Sequence, residues 1–538
     1  MNGAPNVFNA DVIVVGAGSA GSVVARRLAD AGASVLLVEA GPAQRVAAVD
    51  DPARMHELWD SPFDWGYRTV PQGHAHNRRL HLPRGRAVGG SHNLNAMIWV
   101  RGNPADYDHW ASLGNPGWAW EDVRPVFERI EAPDSADVSA GDPLGPLHIL
   151  TGYEPSPAHR SIVEAAQQAG LPFNPDYNGA SQDGVSFMQF TIHDHRRWTT
   201  ADAYLGPLLE PWPDSGGFTL VTGAVVHRLL FEGGRCVGVE WEREGVLERG
   251  LAGQEVVLSA GAIGSPEILM RSGIGDAAAL RSHGIAVQAD LPGVGRNLQD
   301  HWLVPVIAAT SRPLPPSHGL PRTQSHLFWH SRPGLPVPDL QPLHFDAPLY
   351  ERWMEGPPDG VSLMAGLIRP LSHGVIRLSG ASPSDPVLID PRVLSEHADV
   401  TALAAAVRLC QEIVAAPALR EGWDAYELYP GSLAETEEGL HAYIRETVVT
   451  YHHQSGTCKM GVDGQAVVDP TLRVHGVEGL WVADASIMPA VTTGNTNAPA
   501  IMIAEKAAEF VTRSARGRGA AGRDLEPAAP PHSAGQAG

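Results

Sequence analysis

The sequence predicts an α/β composite: a Rossmann-like nucleotide-binding domain combined with a discontinuous domain of antiparallel sheet plus helix. Three observations carry this. A short apolar strand at residues 11–15 runs into Gly16-Ala-Gly-Ser-Ala-Gly21 and then into an amphipathic helix bearing Val23, Val24, Leu28 and Ala29. A second apolar strand at 34–38 follows at once and ends on Glu39. Further along, short alternating strands broken by Gly and Pro surround an Ala-rich helical stretch from Val400 to Ala415.

The first element is the dinucleotide fingerprint in its full context. Gly16 makes the tight turn, Gly18 admits a pyrophosphate against the helix N-terminus, and Gly21 lets helix and strand pack closely. Glu39 is placed to accept hydrogen bonds from a ribose diol, and its charge argues against a 2′-phosphate and hence against NADP. Strand, glycines, helix, second strand and terminal acid all fall in register. The fingerprint does not choose between FAD and NAD.

At 538 residues the chain exceeds one simple core, and 43% hydrophobic with 18% charged residues is a globular composition. A formal charge of −21 argues against a nucleic-acid partner. Cys236, Cys410 and Cys458 lie far apart and form no CxxC, so neither a metal site nor a disulfide framework is expected, and a reducing, cytoplasmic setting fits. Residues 1–10 lack a secretory pattern, and no apolar run is long enough for a membrane span. Residues 516–538, rich in Gly, Ala, Pro and Arg, read as a disordered tail.

In chain order, Gly85, Gly89 and Gly90 mark a sharply bent loop beside the apolar run 95–102, and a helix starts near Asp106. Residues 218–222, 225–231 and 237–241 have the pattern of an antiparallel meander. Residues 255–259 form a buried strand that turns through Ala260-Gly-Ala-Ile-Gly-Ser-Pro266 into a helix, without a second GxGxxG. Residues 374–378 and 479–484 read as strands, and 498–511 as an apolar helix.

Four motif groups then make the chain similar to the glucose–methanol–choline (GMC) family of FAD-dependent oxidoreductases, over residues 10 to about 515. They are Gly16 to Gly21 with Glu39-Ala-Gly41; Gly85-Arg-Ala-Val-Gly-Gly-Ser91 through Asn95 to Gly102; Ser259 to Pro266 with Ser272-Gly-Ile-Gly275 and Gly293-Val-Gly-Arg-Asn-Leu-Gln-Asp-His301; and Tyr451-His-His-Gln-Ser-Gly-Thr457 with Val482-Ala-Asp-Ala-Ser486 and Asn495-Thr-Asn-Ala-Pro499. The resemblance implies non-covalent FAD. It implies an FAD-binding domain from 8–150, 216–302 and 452–515, and a substrate-binding domain from 151–215 and 303–451. It implies cofactor contacts from Gly16, Gly18, Ser19, Ala20, Gly21, Glu39, Ala40, Arg86, Gly89, Gly90, Ser91, Asn95, Ala96, Val226, Asp484, Ala485 and Asn497.

The family's flavin-facing histidine falls on His453, three residues before Gly456-Thr457, and the partner position is assigned to Asn497. The implied chemistry is oxidation of a small primary alcohol, aliphatic or aromatic, to an aldehyde. His453 takes the hydroxyl proton, hydride passes to flavin N5, and electrons go on to O2 or another acceptor. Asn497 donates to the developing alkoxide, and as a helix N-cap it has a structural role too. The alternative is a hydroxynitrile-type lyase that keeps FAD without redox turnover, or another relative that does not oxidise alcohols; against a light-driven decarboxylase among the relatives, the intact pair at 453 and 497 argues for alcohol chemistry. Asp484 is placed near the ribityl or pyrophosphate region, or is a strand-end turn residue.

The chain also departs from the family. His92 stands where many relatives have a second Ser, and Leu94 occupies the position of the histidine that carries covalent flavin in some members. His92 is therefore expected to be a polar wall residue, and His452 either lines the pocket or packs behind the flavin. Trp302, Phe328, Trp329, His344, Phe345 and Trp353 are candidate pocket residues, though core packing is the stronger expectation for each. A quaternary ammonium substrate would want an aromatic cage plus a carboxylate; Asp346 stands beside Phe345, but one such pair is not evidence for it.

Overall fold

The computed structural model describes residues 6–135, 144–209, 217–315 and 319–523. Its first sheet is seven-stranded. Val7–Val15 lies at the centre, parallel to Val35–Val38 on one side and to Val246–Leu258 on the other. Phe218–Val221 extends the sheet beyond Val35–Val38, and Leu480–Val482 pairs with the end of Val246–Leu258, both in parallel. These strands read as continuous apolar runs because helices cover both faces. Val12 to Val15, Val35 to Val38 and Val256 to Leu258 are all buried.

The meander differs from expectation. Val225–Glu232, Arg235–Arg243 and the first half of Val246–Leu258 are antiparallel. Phe218–Val221 leaves them and joins the parallel edge. The reason lies in the turn after it: Gly223 has φ +67°, and Gly223 and Ala224 donate backbone N–H groups to Gly41 and Glu39. The chain is thereby held to the nucleotide turn before it reverses.

The second sheet is also seven-stranded and antiparallel throughout. Its main path runs Tyr426–Tyr429, Trp302–Ala309, Gly360–Leu367, Leu343–Phe345, Ser325–Phe328, Gly184–Phe187. The helix His397–Ala415 packs on it through Val400, Leu403, Val407 and Cys410. The two cores interleave more than the expected boundaries. Tyr204 and Leu205 pack in the first core, and so do Ile376, Leu378 and Ile389 from strands paired back to Arg296–Leu298.

The C-terminal helix is Asn497–Arg523. It lies against Ser19–Asp30, where Glu505 takes Arg27 at 2.9 Å and the Tyr204 hydroxyl at 2.8 Å. It continues through residues 516–523, which composition had assigned to a disordered tail; 524–538 lie outside the described residues. Among the described residues no helix is long and apolar enough to cross a membrane.

Gly16 has φ +96°, and a Cβ there would stand 2.6 Å from the Ser259 carbonyl oxygen on the neighbouring strand. Gly16→Ala is expected to cost roughly 1–3 kcal/mol and to lower the thermal unfolding midpoint; an unchanged midpoint would contradict this packing.

Candidate active site

The C-terminal ends of the parallel strands open onto a cavity of about 990 Å³ that extends to the second sheet. Open α/β sheets bind their ligands at such strand ends. Fourteen of the expected cofactor residues line it: Gly16, Gly18, Ser19, Ala20, Glu39, Ala40, Gly90, Ser91, Asn95, Ala96, Val226, Asp484, Ala485 and Asn497. Arg86, Gly21 and Gly89 stand behind the wall instead. Arg86 lays its guanidinium over the Trp65 ring at 5.0 Å. Gly21 packs so closely on the nucleotide turn that a Cβ would lie 1.8 Å from the Gly16 oxygen. Gly89 donates its N–H to Ala17 at 2.8 Å, which ties the covering loop to that turn.

The cradle fits the pyrophosphate of a dinucleotide. The Ser19–Asp30 helix begins at Gly18 without a side-chain cap and without an acid in its first turn, so its first N–H groups are left for an anion. Gly90 approaches Gly18 so closely that a Cβ would sit 2.6 Å from the Gly18 Cα. The buried Glu39 carboxylate accepts from the N–H groups of Ala17 and Gly41, each at 2.8 Å. Each oxygen keeps a further acceptor site for a ribose hydroxyl. Asp484 accepts from Gly261 N–H at 2.9 Å, Ser265 Oγ at 2.5 Å and Ser486 N–H at 2.8 Å, so it is a turn residue on the cavity wall.

At the other end of the cavity stands His453. Its Nε2 lies 3.2 Å from Asn495 Nδ2, and its Nδ1 lies 2.9 Å from His301 Nδ1. The partner assigned from sequence, Asn497, is not there. Its Oδ1 accepts from Ser19 Oγ at 2.7 Å, and its Nδ2 meets His92 Nε2 at 3.3 Å. Both asparagines reach the cavity, but Asn497 already belongs to the helix and turns back to the nucleotide turn. Asn495 follows Gly494, whose φ of +118° directs the chain toward His453. The two-residue spacing hides this choice in the sequence; Gly494 is the signal that pointed to it.

Burial pushes the His453 imidazole well below the usual histidine range, and His301, His452 and Arg84 add to this. Tyr451 stacks on the ring at 4.6 Å. Beneath it, buried Asp300 accepts the backbone N–H groups of His453 at 2.8 Å and His301 at 2.9 Å, together with Thr450 Oγ1 and Gln454 Nε2. Desolvation raises its carboxyl to about 6. Asp300 and His301 sit in the quoted Gln-Asp-His run, but nothing in the pattern says that they would underlie His453. Arg197 escaped the sequence altogether: it is fully buried and donates to the carbonyls of Val49, His92 and Asn95, pinning the covering loop.

His452 lines the cavity with its ring edge on Trp59 at 5.0 Å, and burial pushes it down to about 3. Of the candidate substrate residues only Phe345 lines the cavity. Trp302, Phe328 and His344 are fully buried, Trp329 packs on the second core, and Trp353 is exposed. Asp346 pairs with Arg322 at 3.1 Å.

Comparison with known proteins agrees with this geometry. The family models for GMC oxidoreductase match residues 10–303 and 370–504. This chain belongs to the GMC oxidoreductase family. It is 39% identical to mitochondrial choline dehydrogenase of Mus musculus over 535 residues, covering 93% of this chain and 89% of that one. It is 37% identical over 535 residues to the oxygen-dependent choline dehydrogenase of Rhizobium johnstonii, covering 94% and 96%. The crystal structure of pyridoxine 4-oxidase from Mesorbium loti superposes with TM-score 0.87 at 35% identity, covering 93% of this chain and 98% of that one. As a GMC oxidoreductase the protein binds FAD and oxidises the CH–OH group of a small-molecule alcohol.

His92 bears on how FAD is held. Its Nε2 meets Thr191 Oγ1 at 3.0 Å, its Nδ1 accepts from Thr200 N–H at 3.3 Å, and it is absent from the cavity wall. Both ring nitrogens are engaged, and Leu94 offers none. Acid precipitation is therefore expected to release all the yellow colour and leave a colourless pellet; a yellow pellet would show a covalent bond.

Proposed function

We propose that this GMC oxidoreductase converts a neutral primary alcohol, aliphatic or aromatic, to its aldehyde at the His453 end of the cavity. The observation that carries the proposal is a buried imidazole on the cavity wall with the Asn495 amide nitrogen 3.2 Å from its Nε2, a ring that burial pushes well below the usual histidine range. His453 Nε2 accepts the hydroxyl proton of the alcohol. The Asn495 amide donates to the same oxygen as charge builds on it, where a fixed dipole in a dry site counts most. FAD, when bound, supplies the hydride-accepting ring. Tyr451 and Asp300 hold the histidine from its face and from its backbone.

The wall on the Tyr451 side supports a neutral substrate. Leu303, Leu343 and Met364 line the cavity there and pack in one apolar cluster with Tyr451. Three of the four acids on the wall already have partners: Glu39 and Asp484 accept hydrogen bonds from neighbouring turns, and Glu267 pairs with Arg271 at 2.9 Å. Burial pushes the fourth, Glu351, above the usual carboxylate range. The names of the relatives favour a second reading, a choline-like cation. The lyase alternative finds no support in these relatives. Electrons pass to O2 or another acceptor; the oxygen-dependent relative favours O2. Three buried free cysteines fit a reducing, cytoplasmic setting.

Anaerobic flavin bleaching by a panel of alcohols is the test. Benzyl alcohol or hexanol is expected to reduce the flavin faster than choline does. Choline preference would replace the neutral reading by the cationic one, and no bleaching by any alcohol would sink both. Asn495→Ala is expected to slow reduction about 100-fold or more, and Asn497→Ala less than about tenfold. The reverse ranking would restore Asn497 as the partner. Because His453 titrates well below its ordinary range, its neutral form persists as pH falls. The reduction rate should therefore stay level from about pH 8 to about pH 6 and decline only below that; a loss centred near 6.5 would contradict this burial.

A further inference from the structure

The Asn495 amide can face His453 in two ways, and only one leaves Nε2 free to take a proton. If the Asn495 N–H points at Nε2, the nitrogen is an acceptor. If the amide is turned over, its oxygen calls for a proton on Nε2, and the base is blocked. What selects between them lies one layer further from the cavity.

Gln341 is fully buried and does not line the cavity. Its backbone is fixed: N–H to Gly366 at 2.9 Å, and its carbonyl accepts from Tyr451 Oη at 3.1 Å. Its side-chain Nε2 stands 3.1 Å from Asn495 Oδ1 and 3.2 Å from His326 Nδ1. Among the described residues its Oε1 has no hydrogen-bond partner, and neither has His326 Nε2. In the opposite arrangement, Gln341 would accept from Asn495 and from His326. Its two amide protons would then occupy the place where Oε1 now stands, with nothing there to receive them. The observed arrangement leaves one carbonyl oxygen and the His326 Nε2–H unpaired, whereas the opposite one strands both protons of a buried NH2 group, and an unpaired buried donor costs more than an under-used acceptor. The pocket around Gln341 therefore favours donation toward Asn495.

We propose that Gln341 is a positioning residue for the GMC reaction: by donating to Asn495 Oδ1 it makes Asn495 present N–H to His453 Nε2 and keeps that nitrogen an open proton acceptor. This rests on His453 being the base. The proton of neutral His453 is then on Nδ1, donated to His301 Nδ1. His301 then carries its own proton on Nε2, on the side of the Ile368 carbonyl, where no hydrogen bond of normal geometry forms among the described residues. The groups around His453 that carry charge or titrate are His301, His452, Tyr451, Asp300 and Arg84, with Arg369 near His301 and His326 beyond Gln341. None of them touches the Asn495 amide oxygen; Gln341 does.

Gln341→Glu separates this role from a packing role, because a carboxyl of the same shape donates only while protonated. In the FAD-loaded enzyme, the limiting rate of anaerobic flavin reduction by alcohol is expected to fall about tenfold or more between about pH 6 and about pH 9 in Gln341→Glu, where the wild type stays level. Gln341→Leu should lose about tenfold or more at every pH, with the half-saturating alcohol concentration within about threefold. Gln341→Glu reducing flavin within about twofold of wild type, with the same pH profile, would overturn the proposal.

Histidine ring-15N resonances give a readout independent of turnover. The pair lost in His453→Ala identifies that ring, and its Nε2 should show an unprotonated shift in the wild type and a protonated one in Gln341→Glu at high pH. A protonated Nε2 in the neutral wild type overturns the proposal even where the variants fail to hold FAD. If no alcohol bleaches the wild-type flavin, the assigned function fails, while the 15N shift still decides the Gln341 claim.

Discussion

The reaction face depends on one buried carboxylate. Asp300 lies between Arg296–Leu298, which packs with the first core, and Trp302–Ala309, which belongs to the second sheet. A carboxylate this deep is costly to desolvate unless donors surround it. Here two backbone N–H groups, one hydroxyl and one amide converge on it. The two backbone donors come from His301 and His453, so one acid sets the spacing of both rings. Their 2.9 Å Nδ1 contact follows from that shared anchor.

The nucleotide end obeys a different constraint, which is steric. Parallel strands bring their C-terminal ends to one edge, and glycines let three backbone segments meet there. Gly16 touches Ser259, and Gly90 touches Gly18. The covering loop is drawn onto this edge by the Gly89 to Ala17 hydrogen bond and pinned from behind by Arg197. The stretch that organises the fold thus grips the cofactor at one end, while His453 and Asn495 face the cavity at the other.

Burial, not a carboxylate partner, tunes the histidine. The His453 ring is bonded to another imidazole and to an amide, and Arg84 and His452 bring no negative charge. An imidazole so placed resists protonation and stays a neutral acceptor, so its orientation rests on the tautomers of its neighbours. The amide chain from His326 through Gln341 to Asn495 lies directly behind that ring.

Much of the fold was legible in the sequence because its signals are local. The apolar runs at 11–15 and 34–38, the glycine turn, Glu39 and the helices near 400–415 and 498–511 each follow from periodicity and backbone freedom. The ordered motifs likewise marked the family and the cofactor. What the chain could not state locally was which of several similar side chains meet. Asn495 and Asn497 differ by two positions, and only the turn at Gly494 and the helix start at Asn497 direct one to His453 and the other to Ser19. Phe218–Val221 has the strand pattern of a meander, yet hydrogen bonds from Gly223 and Ala224 to the nucleotide turn send it to the parallel edge. Asp300, Gln341 and Arg197 carry no motif of their own role, since a buried polar residue is defined by partners up to hundreds of positions away. Sequence by itself determined the strands, turns and a dinucleotide cradle, through short-range sterics and hydrophobic patterning, while FAD followed from the resemblance of its ordered motifs to the family. Tertiary structure alone decided which asparagine meets His453, because hydrogen-bond geometry between distant segments exists only once the two sheets have closed on each other.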